Sequence, residues 1–208
     1  MEKIKLPTPG TNETITLNKA FKKRISCRNY KDKPINLSAL GDILWAADGI
    51  SDKSFKPRRT APSAGATYPL EFYIATREKS VYELDPGVYH YNPESHILTK
   101  HLHGNIIDKL PQATFDQSFI TNASIAILVA SQNERTTKLY GERGIQYIWM
   151  EAGGVCQNIH LKVIEMNLGT VIIGAFEDNK MKESFKLENE EPLALMPIGH
   201  PVEQSIYQ

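Results

Sequence analysis

Apolar positions recur along this chain with two different periods. Ile145, Ile148, Ala152, Val155, Ile159, Val163 and Met166 step by threes and fours, which predicts one long helical stretch from beyond Ala130 through Met166, closed by Asn167 and Gly169. Leu37, Leu40, Ile43, Leu44 and Ala47 form a second stripe, with Asn36 or Ser38 as its cap and Gly49 at its end. Shorter helices are predicted over Leu17–Lys23, with Thr16 or Asn18 as cap, over Gly104–Gln117, interrupted by Pro111, and from a capping Asp178 to Lys186. Period-2 and wholly apolar runs predict strands. Leu70–Arg77 sets Phe72, Ile74 and Thr76 on one face, and Ser124–Ala130 is too apolar and too short for anything but a central strand. Gly87–Tyr91 and His96–Leu102 form a hairpin across Asn92–Ser95, and Thr170–Phe176 and Leu193–Ile198 are the last strands. Residues 50–58 read as a polar, flexible connector. The succession predicts α and β layers in one unit, residues 1–208, with 1–16 as an extended N-terminal arm.

Composition narrows the function classes. In 208 residues, 24 Lys and Arg balance 24 Asp and Glu, so net charge recruits neither nucleic acid nor an anionic membrane. No stretch reaches the roughly 18 apolar residues of a membrane span, and no apolar run follows the N-terminal lysines. The expectation is a soluble, cytoplasmic protein. Cys27 and Cys156 form no C-x-x-C pair, so no metal is expected.

Two stretches carry candidate chemistry. Arg59–Pro69, RTAPSAGATYP, gathers small residues whose backbone N–H groups could press against a flat ligand; standing alone, it reads first as a plain connector. Arg24-x-Ser26-x-Arg28, if extended, puts two guanidiniums and a hydroxyl on one face, which is either a phosphate clamp or a solvated basic edge. Gly153-Gly154 in mid-helix is tolerable where another helix or a planar ligand comes very near. Cys156 and His160 stand at i,i+4 but adjoin the apolar face and are read as packing. His90, His96, His101 and His103 are read as exposed hairpin residues rather than metal ligands. Ser63 lacks the G-x-S-x-G context of a hydrolase nucleophile.

Taken in order, these features resemble the nitroreductase family of flavin enzymes, and most closely its SagB-type branch, which includes azoline-oxidising dehydrogenases. Arg24-x-Ser26-x-Arg28 followed by Tyr30 resembles the family's opening motif. Ala61–Pro69, Gly87–Tyr91 with Pro93-Glu94, Tyr140-Gly-x-Arg143 with Glu151-Ala-Gly153 and Gln157-Asn158, Ile173–Phe176 and Ile198–Pro201 are similar to the branch's later motifs. Three departures stand out. Gly154 replaces a usual His, Leu139 rather than Lys precedes Tyr140 with Lys138 one place early, and the tail Val202–Gln208 carries no Lys or Arg.

The resemblance implies an α+β, three-layer α-β-α flavoreductase sandwich around a mixed, mostly antiparallel sheet, as a homodimer with FMN at the subunit interface. It implies that Arg24, Ser26 and Arg28 hold the FMN phosphate and ribityl. The main chain of Pro62, Ser63, Ala64 and Gly65 would lie against the ring of the facing subunit, and Ile173, Gly174 and Ala175 would touch it from their own. Hydride transfer between NAD(P)H and a small organic acceptor follows, with Tyr140 and Lys138 as the side chains that could handle a proton. A peptide-tailoring azoline dehydrogenase and a flavin-binding or flavin-degrading protein are the alternatives, the first set back by the displaced Lys138.

Overall fold

A computed structural model describes residues 2–10, 15–52 and 58–202. Its centre is a sheet in the order β1 (Lys3–Lys5), β7 (Ile97–His103), β6 (Gly87–Asn92), β5 (Leu70–Thr76), β8 (Ile125–Ser131), β10 (Glu191–Pro201) and β2 (Tyr30–Lys31), with β9 (Gly169–Thr170) also on β10. Every ladder among these strands is antiparallel, and a parallel pairing enters through the isolated bridge Ile35–Val81.

Alternation along β5 builds the layers. Phe72 and Ile74 face a core shared with helices α2 (Leu37–Asp48) and α4 (Arg143–Glu165). Tyr73 and Ala75 face a second core under the 3-10 turn Ile107–Ala113 and helix α5 (Asp178–Phe185). Strand β8 lies between β5 and β10 and is buried along its whole length, as a run apolar on both faces requires. The result is the expected α+β sandwich with helices on both faces of an antiparallel sheet.

Local chemistry decides several boundaries. Thr16 caps α1 (Leu17–Lys23) by accepting the Lys19 N–H, and Asn36 caps α2 by accepting the Ala39 N–H at 2.6 Å. Gly49 ends α2 with φ −73, so its role is contact rather than left-handed backbone: a Cβ there would strike Trp45.

Other expectations are corrected. Within the N-terminal arm, Lys3–Lys5 joins the sheet edge against Ile97–Thr99. The connector after Gly49 contains a hairpin, β3 (Ile50–Asp52) on β4 (Arg58–Arg59), while residues 53–57 lie outside the described chain. The long helical stretch is two helices, α3 (Glu134–Tyr140) and α4, broken at Gly141 with φ 58. Thr170–Phe176 is a strand only at β9; beyond it Ile173 makes an isolated bridge to Leu195. Pro111 tightens its segment into a 3-10 turn. Glu177, not Asp178, stands at the cap position of α5. Gly153 and Gly154 have open space where a Cβ would sit, so among the described residues no other element approaches them.

Candidate functional site

The small-residue stretch folds as a raised loop against α3 and α4. Its turn Ala64–Ala66 needs left-handed backbone at Gly65 (φ 59) and continues so at Ala66 and Tyr68. Glycine suits position 65, whose backbone is left-handed, and a Cβ there would lie 2.6 Å from the Tyr140 hydroxyl oxygen, so that side chain would have to shift. Ser63 Oγ accepts the Tyr68 N–H at 2.9 Å, Thr67 Oγ1 meets Thr136 Oγ1 at 2.7 Å, and Arg135 donates to the Tyr68 carbonyl at 3.0 Å. With the loop pinned from below, Pro62, Gly65 and Ala66 remain exposed and turn small-residue main chain outward.

Beneath the loop lies a buried polar cluster that periodicity alone passes over. Glu151 of α4 is 5% exposed, and Asp48, at the end of α2, is fully buried. Arg59 Nη1 donates to Asp48 Oδ2 at 2.5 Å, its guanidinium lies 4.0 Å from the Tyr68 ring centroid, and its Nη2 is 3.7 Å from Glu94. Asp48 Oδ1 and Glu151 Oε1 are buried without a hydrogen-bond partner. Burial, and then the charge of Asp48, push the Glu151 acid up to about 7, against the pull of the Ser63 hydroxyl and Arg59. Burial also lifts Asp48 to about 6, with Glu71 adding and Arg59 opposing. A signal was present in the sequence, since Glu151 interrupts the apolar stripe between Ile148 and Val155.

The second constellation forms near the other end of α4. Cys27 is buried and its N–H bonds to the Thr170 carbonyl at 2.9 Å, while Ser26 is half-buried and Arg28 exposed. That bond ties the Arg24–Arg28 segment to the start of 169–175. There Ile173 is buried and anchored to Leu195, and Gly174 and Ala175 are exposed, with nothing within 4 Å of a Cβ on Gly174. Gln117 Nε2 donates to the Ala175 carbonyl at 3.2 Å. Arg24 bears on His160 of α4, which burial first and then this cation hold down to about 4, hence neutral near pH 7. Among the described residues neither Arg24 nor Arg28 pairs with a carboxylate.

The Cys27–Thr170 bond ties the Arg24–Arg28 segment to Thr170, and Ile173, Gly174 and Ala175 follow three to five residues further along the chain. Pro62, Ser63, Ala64 and Gly65 sit apart, because Glu151 and His160 are separated by about 13 Å of helix. Tyr140 lies at the loop, its ring edge-on to Tyr147 at 5.1 Å, whereas Lys138 points outward in an ion pair with Glu134 at 2.8 Å. Cys156 is buried and its thiol is pushed up to about 12, so it forms no thiolate pair with His160. The hairpin histidines differ from expectation. His90 pairs with Glu71 at 2.5 Å, His96 bonds to Tyr91 and the Pro7 carbonyl, and His101 to the Phe185 carbonyl; of the four, only His103 is exposed. Among the described residues no group of three His, Cys, Asp or Glu is set to hold a metal, and no helix is long and apolar enough to cross a membrane.

Fold and site together define an α+β protein with exposed main-chain platforms and a cationic segment tied to one of them, suited to a planar ligand with an anionic tail. The nitroreductase family model matches residues 21–200, and the chain belongs to that family of oxidoreductases. A Methanocaldococcus jannaschii protein assigned to the nitroreductases is 44% identical over 192 residues, covering 92% of this chain and 94% of that one. A Ralstonia eutropha structure with the same assignment superposes with a TM-score of 0.82 at 25% identity, over 97% of this chain and 90% of that one. The NADPH:FMN oxidoreductase of Vibrio harveyi shares the fold at 18% identity and a TM-score of 0.64, over 93% and 70% of the two chains.

Proposed function

We propose that residues 1–208 form one FMN-dependent oxidoreductase unit of the SagB-type branch, a homodimer that moves a hydride between NAD(P)H and a small organic acceptor. The observation that carries this reading is the Cys27–Thr170 bond, which ties the segment of Arg24 and Arg28, neither paired with a carboxylate among the described residues, to the stretch that runs on to the exposed Gly174 and Ala175. The residues fit FMN. Forked, permanently charged donors suit its phosphate, and a glycine with empty space over it admits a flat ring.

Arg24, Ser26 and Arg28 would hold the phosphate and ribityl. Main chain at Ile173, Gly174 and Ala175 would orient the ring, with Pro62, Ser63, Ala64 and Gly65 covering it from the partner copy. The bound flavin supplies the hydride chemistry, and the protein supplies orientation and electrostatics. Tyr140, beside Gly65, is the side chain better placed to hold a proton near the loop; Lys138 is engaged with Glu134. The dimer is supported by α4, where Ile145, Trp149 and Met150 are exposed apolar residues and Gly153 leaves room for close approach.

The test is anaerobic mixing of the FMN-loaded protein with NADH or NADPH. Rapid loss of the flavin's visible absorption is expected. Flavin uptake with no bleaching by either nucleotide would leave a flavin-binding protein or an azoline dehydrogenase working from its substrate.

A further inference from the structure

Between the foot of the raised loop and the hairpin turn after β6 lies a cavity of about 380 Å³, at the small end of the range for ligand pockets. Two guanidiniums open onto it, from Arg59 and Arg135, with Tyr68 also on its wall. Both are held from behind. The Arg59 side chain is only 10% exposed, its Nη1 donates to one oxygen of the buried Asp48, and its guanidinium lies over the Tyr68 ring at 4.0 Å. Arg135 donates from Nη1 to the Tyr68 carbonyl at 3.0 Å and meets Glu71 through Nη2 at 2.6 Å. The other oxygen of Glu71 is engaged by His90. The two forks are therefore fixed in place before any ligand arrives.

On its outer side, Arg59 is weakly engaged. Its second amino group, Nη2, has Glu94 3.7 Å away, too far for a hydrogen bond, and the Glu94 side chain is 79% exposed. Such an exposed ion pair is weak in water and easily exchanged. The hairpin turn does not depend on it, because Asn92 Oδ1 closes the turn by accepting the Ser95 N–H and hydroxyl, both at 3.0 Å. Glu94 is thus a loosely placed carboxylate on a guanidinium that is otherwise rigid. Leu70, Tyr91 and Pro93 give the same cavity apolar walls. Charge limits what can enter. Asp48 and Glu71 stand behind the two guanidiniums and already offset them, so a singly charged carboxylate is favoured over a doubly charged phosphate.

We propose that this cavity binds a small monocarboxylic acid with an apolar body, its carboxylate displacing Glu94 from Arg59 and its body lying against Leu70, Tyr91 and Pro93. A guanidinium suits the role because it presents paired N–H donors in one plane while its own face is stacked on an aromatic ring. None of the residues assigned above to holding flavin lines this cavity, so the site goes beyond the flavin reading and does not depend on it.

Isothermal titration of benzoate into the flavin-free full chain, with benzamide as the uncharged isostere, tests this. Benzoate should bind and benzamide should not. In Glu94→Gln, with the competing carboxylate gone, the benzoate Kd should fall about three- to fivefold, the equivalent of one surface ion pair. In Arg59→Lys a cation still faces Asp48 but the fork is lost, and Kd should rise about tenfold. If Arg59→Lys fails to fold, Glu94→Gln and the benzamide comparison decide. Benzoate and benzamide bound alike, a Glu94→Gln Kd equal to that of the wild type, or no benzoate uptake by either protein overturns the site. Any of these leaves the flavin reading intact, and a chain that takes up no FMN leaves this prediction in force.

Discussion

At the scale of single residues, the roles divide between groups that would touch a ligand and groups that hold backbone in place. Arg28 is exposed and without a carboxylate partner among the described residues, so removing it should leave the fold intact and weaken FMN retention. Arg28→Ala is expected to lose ~1.5–3 kcal/mol of FMN binding, the worth of a charge-assisted contact; equilibrium dialysis showing unchanged affinity would remove the clamp. Gly65 is the opposite case. Its φ of 59 strains any side chain there, and a Cβ would make the Tyr140 hydroxyl move, so Gly65→Ala should destabilise the protein by about 1–2 kcal/mol, read from urea unfolding. Gly65 was legible in the sequence as a small residue in a small-residue run. Its neighbour was not, because Tyr140 reaches it only through the docking of α3.

At the scale of elements, α4 carries most of what is unusual. One face is core, yet that face also holds Glu151 and His160, whose acid–base behaviour is displaced in opposite senses by the same burial. A folded-state midpoint raised from 4.5 to about 7 means that Glu151 contributes stability present below 4.5 and lost as pH rises through 7. Asp48, raised from 3.8 to about 6, acts with the same sign. His160, lowered from 6.5 to about 4, contributes stability present above 6.5 and lost as pH falls through 4. Because the two acids together outweigh the one imidazole, these three groups should make stability fall as pH rises from about 4 to about 7. Glu151→Gln should remove on the order of 3 kcal/mol of that fall, measured by denaturant midpoints from pH 5 to 8. A variant with the wild-type slope would contradict the buried-acid assignment.

At the scale of the whole molecule, the two candidate constellations sit at different stations along α4, and the raised loop turns its main chain away from its own core. Both facts suit a site completed by a second copy. Ile145, Trp149 and Met150 on the same helix form the surface that such a copy would cover. Sedimentation of the wild-type chain is expected to give twice the monomer mass, and Trp149→Glu, which places a charge in that surface, should shift it to the monomer and lower flavin occupancy with it. A wild-type monomer that retains FMN tightly would contradict the shared site.

Period and composition were enough to place the central strand, the capped helix after Asn36 and the apolar face of α4, because burial imposes those repeats locally on the chain. The order of short motifs, read against a known family, singled out the basic segment and the loop as candidates. Tertiary packing alone decided that of Thr170–Phe176 only Thr170 lies in a strand, with Ile173 making an isolated bridge to Leu195, and that Lys138 turns away from Tyr140. It also decided that Asp48, Arg59 and Glu151, distant in sequence, share one buried pocket of charge. The physical reason is that hydrophobic periodicity records which side of an element meets water, whereas the ionisation of a buried acid depends on which other charges the fold brings beside it.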